Sequence, residues 1–101
     1  MTVGINGINI TGDKRKILKS LIKLLENKNI KILFSEQLIK SFPNDNFKSY
    51  NVKTISKIDF IISFGGDGTL LNTVTHVGNK KVKILGVNVG KLGLSLIHIW
   101  R

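Results

Sequence analysis

Phe60-Ile61-Ile62-Ser63-Phe64-Gly65-Gly66-Asp67-Gly68-Thr69-Leu70-Leu71 is the stretch on which the reading of this chain turns. From Asp59 to Phe64 the run is nearly all apolar, the pattern of a strand covered on both faces in a parallel sheet. It stops at Gly65, and beyond Thr69 the residues Leu70, Leu71, Val74 and Val77 recur at helical spacing. Three glycines in the four residues Gly65 to Gly68 let the backbone approach a ligand closely, while the following helix turns its free N–H groups toward the loop. Such a loop can cradle a phosphate chain, and in an open parallel sheet it stands at the carboxyl end of a strand, where ligands gather.

Asp67 is out of place if the loop only holds phosphate, because its charge opposes the ligand's. It needs a second role, either holding a magnesium ion or accepting a proton from an attacking hydroxyl. A kinase requires a positioned donor and a residue that orients the nucleophile, and catalysis there is mainly positioning and charge stabilisation. The plain alternative is a tight turn in which Asp67 or Thr69 caps the helix. Two features weigh against it. The loop lies between a buried-strand pattern and a helix, the context a phosphate loop demands, and a second glycine-rich turn, Asn88-Val89-Gly90-Lys91-Leu92-Gly93, follows the next strand at Lys83 to Val87.

Toward the N-terminus, Val3 to Ile10 reads as a strand entering the turn Thr11-Gly12-Asp13. Ile17, Leu18, Leu21, Ile22, Leu24 and Leu25 mark an amphipathic helix over Lys14 to Asn27, with Asp13 or Thr11 as its expected cap. Ile30 to Phe34 is a second strand, Ser35-Glu36-Gln37 opens a short helix through Lys40, and Ser41 to Ser56, with Pro43 and several Asn and Ser, reads as mostly loop. Strands separated by helices imply an α/β architecture: a Rossmann-like parallel sheet with flanking helices.

One hundred and one residues, 42% of them hydrophobic, suit one core and one domain. With no cysteine there is neither a disulfide framework nor a thiolate metal site, which fits a reducing cytosol. The start lacks a basic leader with a long apolar block, and no apolar run nears the roughly 20 residues needed to span a membrane, so a cytoplasmic protein without membrane contact is expected. A net charge of +10 admits nucleic acid or phosphorylated partners. The lysines are dispersed from Lys14 to Lys91 among isoleucine and asparagine, as an AT-rich genome yields, and this compositional reading ranks above nucleic-acid binding. His76 has no carboxylate or second histidine at metal-like spacing, so a surface or helix-end histidine is expected. Lys80, Lys81 and Lys83 read as a solvated turn, whereas Lys91 lies within the second glycine motif.

Gly65-Gly66-Asp67-Gly68-Thr69-Leu70-Leu71 followed by Ile84-Leu85-Gly86-Val87-Asn88-Val89-Gly90-Lys91-Leu92-Gly93 resembles the paired signature of the NAD kinases. The first motif alone is shared with diacylglycerol and sphingosine kinases and is similar to that of phosphofructokinases; the second narrows the choice. The resemblance implies that Asp67 is the proton acceptor for the 2′-hydroxyl on the adenosine ribose of NAD. It implies that Gly66, Gly68 and Thr69 line the nucleotide site, that Asn72 contacts NAD, and that Asn88 and Gly90 shape the second loop. ATP, NAD and Mg2+ are then the implied ligands, NADP the product, and small-molecule nucleotides the partners, with a homo-oligomeric full-length parent.

Family members continue beyond the second motif with an Asn-Glu pair and a largely β second domain. The expectation is therefore an N-terminal domain of NAD kinase type over residues 1–93, inactive alone. Residues 94–101, Leu-Ser-Leu-Ile-His-Ile-Trp-Arg, depart from the family pattern and resemble translated sequencing-adapter DNA, so a truncated or chimeric gene is expected. As a protein segment the same residues read as a hydrophobic strand that would pack on a partner.

Overall fold

The computed structural model describes residues 1–78, 80, 82–90 and 93–99, with the backbone alone described at 67, 89, 90 and 93–99. The elements run β1 (Thr2–Gly7), α1 (Asp13–Asn27), β2 (Lys31–Phe34), α2 (Glu36–Ile39), a 3-10 turn (Ile55–Lys57), β3 (Phe60–Gly65), α3 (Asp67–Val77), β4 (Lys83–Gly90) and β5 (Gly93–Ile99). They form a five-stranded sheet in the order β2-β1-β3-β4-β5. The first four strands are mutually parallel, as the Rossmann-like reading requires, and β5 is antiparallel to β4.

Side chains alternate between two cores across this sheet. Val3, Ile5, Phe34, Ile62 and Phe64 meet Leu18, Ile22 and Leu25 of α1 on one face. Ile61 and Ile84 meet Val77 on the other, where Leu70 and Val74 of α3 pack at the margin. β3 is buried along nearly its whole length, which is why its sequence is almost continuously apolar rather than alternating.

Three local expectations are corrected. Gly12, not Asp13 or Thr11, caps α1: its φ of 58° turns the chain sharply into the helix, and Asp13 becomes the first helical residue, where its charge complements the helix dipole. On α1 itself, Leu18, Ile22 and Leu25 form the buried stripe, while Ile17 and Leu24, seven residues apart on the flank, stay exposed. The segment 88–90, read as part of a turn, continues β4, because β5 offers it a ladder in which Asn88 faces Ser95 and Gly90 faces Gly93.

The loop between α2 and β3 is anchored by aromatic residues. Phe42 is fully buried, with the Arg15 guanidinium 4.4 Å from its ring centroid and the Phe47 ring 5.4 Å away. Arg15 also donates to the Ser41 carbonyl, and Phe47 stacks on Phe34 at 4.0 Å. Phe42→Ala is expected to cost about 3–5 kcal/mol, a large part of the roughly 5–15 kcal/mol typical of a domain. Urea titration of both proteins measures that loss.

Candidate active site

From β1 the chain crosses outward to β2 and then returns to β3 on the other side of β1, so the carboxyl ends of β1 and β3 lie together where the strand order reverses. Open parallel sheets bind ligands in the crevice at such a point. Asn6 pairs there with Ser63 and Gly7 with Phe64, and on the far side of β3 Gly65 pairs with Asn88. The fold thus carries the glycine loop and the start of the second motif to one edge of the sheet.

The glycines of the loop divide by physical role. Gly65 has a φ of 145°, and a β-carbon on it would stand 2.7 Å from Thr69 Oγ1. Both the backbone angle and the contact exclude a side chain, so Gly65 is required by the fold. Gly66 has an ordinary extended φ of −118°, and a β-carbon on Gly66 or Gly68 would meet nothing within 4 Å. Neither is demanded by packing, and the open space over both is where another molecule can come close to the main chain.

Gly66, which has no side chain, is the cap residue of α3. The expected alternative, a turn capped by Asp67 or Thr69, is therefore not what forms. Asp67 is the first residue of the helix, with its side chain outside the described atoms. Thr69 is buried, its hydroxyl set against Gly65 rather than at the helix cap.

Beneath the loop lies a polar cluster that no motif announces. Asn6 is fully buried and its Nδ2 donates to Thr73 Oγ1 at 2.8 Å and to Asn72 Oδ1 at 3.1 Å. Thr73 Oγ1 in turn donates to the Thr69 carbonyl at 2.8 Å. Asn6 Oδ1 and Ser63 Oγ are buried with no hydrogen-bond partner among the described residues. Leaving such a group unmatched costs about 1–3 kcal/mol, an expense more often met at ligand sites than in plain cores. Ser63 lines a small, half-open space of about 10 Å3 together with Gly65, Gly66, Leu70, Gly86 and Asn88.

The structure brings Gly66, Gly68, Thr69, Asn72 and Asn88 to one end of the sheet. Gly90 is described by its backbone, at the end of β4 opposite Gly93, and Lys91 lies outside the described residues. A separate cavity of about 250 Å3 is lined by Ser35, Glu36, Tyr50, Asn51, Ile55 and His76 and by no residue of the glycine loop. There His76 Nε2 meets the Tyr50 hydroxyl at 3.0 Å. Burial lowers the pKa of the imidazole and raises that of the phenol, so both are held neutral. His76 lies in the last turn of α3, at the expected helix end, and is half-buried and bonded. Among the described residues, no three His, Cys, Asp or Glu side chains gather into a group that could hold a metal ion.

Asn6, Ser63 and Thr73 were not singled out by the sequence. The signal that could have found Asn6 and Ser63 is polar residues within otherwise apolar strands near their carboxyl ends: asparagine is depleted in strands, and Asn6 sits between Ile5 and Gly7, whereas Thr73 lies in helix α3.

A parallel sheet whose switch point carries a glycine loop opening into a helix defines a Rossmann-like α/β domain. Residues 9–96 match the family model described as the ATP-NAD kinase N-terminal domain, and the chain belongs to that family. It is similar to proteins named NAD kinase from Clostridium kluyveri, 37% identical over 91 residues, and from Christiangramia forsetii, 29% identical over 100 residues. Those alignments cover 90% and 92% of this chain but 30% and 34% of the relatives, so the chain spans about a third of their length.

The two kinds of glycine predict opposite outcomes. Gly65→Ala should destabilise the domain by at least the roughly 1–3 kcal/mol of a strained backbone. Gly68→Ala, in the first turn of α3, should leave thermal stability unchanged or raise it by up to about 1 kcal/mol. Thermal melts of the two variants beside the parent chain test this.

Proposed function

We propose that the protein to which this domain belongs phosphorylates the 2′-hydroxyl on the adenosine ribose of NAD with ATP, giving NADP, and that the 101-residue chain alone is inactive. The observation that carries the reading is the open space over Gly66 and Gly68 at the switch point, where nothing among the described residues would crowd a β-carbon. The names of the relatives support NAD and a kinase reaction. The buried unmatched Ser63 Oγ, which lines the small space under the loop, fits a site built for a polar ligand.

In this reading Asp67 accepts the proton from the ribose hydroxyl as its oxygen attacks the terminal phosphorus of ATP, and the bond from that phosphorus to the bridging oxygen of ADP breaks. Gly66 and Gly68 let the main chain approach the phosphates, and the start of α3 contributes N–H donors that favour negative charge. Thr69 acts by shaping the loop from beneath. Asn72 contacts NAD, and Asn88 and Gly90 shape the neighbouring edge. Magnesium usually binds through substrate phosphates with one or two carboxylates, and the described residues offer no cage of their own, so the ion would arrive on ATP. The protein works in the cytoplasm on small-molecule nucleotides, as a homo-oligomer when full length. Residues 94–101 lie outside the family-type domain in this reading, although the family match runs on to residue 96.

The test is coupled detection of NADP formed from NAD, ATP and magnesium, run on this chain, on the protein extended from its native locus, and on the extended Asp67→Asn variant. Activity in the extended protein alone, lost by at least about a hundredfold in Asp67→Asn with an unchanged melt, is the expected result. Full activity in Asp67→Asn removes the assigned base, and no NADP from the extended protein overturns the function.

A further inference from the structure

The cluster under the loop has a direction, and the direction fixes what Asn72 can offer a ligand. The Thr69 carbonyl can only accept, so the Thr73 hydroxyl spends its one hydrogen there. Thr73 Oγ1 is left as an acceptor, and the fully buried Asn6 must face it with its amide nitrogen. A reversed Asn6 would set its carbonyl oxygen against lone pairs. The second hydrogen of the same Nδ2 goes to Asn72, which therefore turns its own oxygen inward. The other end of the Asn72 amide, the Nδ2 donor, makes no hydrogen bond among the described residues and is not among the buried unmatched atoms.

We infer that Asn6 is a positioning residue whose hydrogen bonds hold Asn72 as a donor beside the glycine loop, so that the ligand group met by Asn72 is an acceptor: a phosphate, ribose or carbonyl oxygen, or an unprotonated ring nitrogen. The polarity originates in a backbone carbonyl of α3 and passes through two side chains to the third. Asn6 touches no ligand and acts through Asn72. The part that concerns NAD rests on the assignment of Asn72 to the nucleotide site under Proposed function; the relay itself does not.

Two measurements separate these parts. In the 101-residue chain, nuclear magnetic resonance of the side-chain amides should show the Asn6 protons slow to exchange with solvent and the Asn72 protons fast. Slow Asn72 protons, with cross-relaxation to Asn6, overturn the relay whatever the ligand. In the extended protein, Asn6→Leu keeps the bulk and removes the donor. It should raise the dissociation constant and KM for NAD by about tenfold with kcat little changed, and Asn72→Ala should do the same. The double variant should lose no more than either single one, whereas additive losses refute action through Asn72. If Asn6→Leu does not fold, the amide exchange pattern of the unaltered chain decides. A chain with the expected pattern in a protein that does not bind NAD sinks the NAD reading and leaves the relay supported.

Discussion

Thr69 Oγ1, which fills the space where a side chain on Gly65 would begin, is the joint on which the site hangs. A β-carbon there would stand 2.7 Å from the hydroxyl, so β3 can pass into α3 this closely only through glycine. The same closeness fixes the first turn of the helix against the end of the strand. With Thr69 placed, its carbonyl receives Thr73, Thr73 receives Asn6 from the neighbouring strand, and Asn6 holds Asn72. One steric constraint at the end of β3 thereby sets the pose of a side chain at the mouth of the site.

Much of this was legible in the residues. The buried run of β3, the helical spacing after Thr69 and the strand-loop-helix order give the Rossmann-like parallel sheet, because burial on both faces and amphipathic periodicity are local signals. The division of labour among the glycines was not legible. Gly65, Gly66 and Gly68 look alike in a string, and only the position of Thr69 shows that the first serves the fold while the other two leave open space. The buried cluster was equally hidden, since it joins Asn6 to residues 66 and 67 positions further along the chain. The extent of β4 was misjudged because Asn88 and Gly90 have turn chemistry, and the antiparallel ladder with β5 overrides that preference.

Electrostatics sets the background rather than the site. The ion pair of Lys19 with Asp45 at 3.6 Å is half-exposed and worth little. The described lysines are mostly exposed, and a net charge of +10 raises the local concentration of any polyanion without saying where it binds. Location has to come from geometry, and geometry points to the switch point between β1 and β3.

In the proposed function, the glycine loop at this switch point is where nucleotide phosphate binds. The most direct measurement is a titration of the 15N-labelled chain with ATP, following backbone amide resonances. The largest shifts are expected on Gly66, Gly68 and Asn88. Shifts spread over the lysines of α1, or confined to the cavity between Tyr50 and His76, would contradict it.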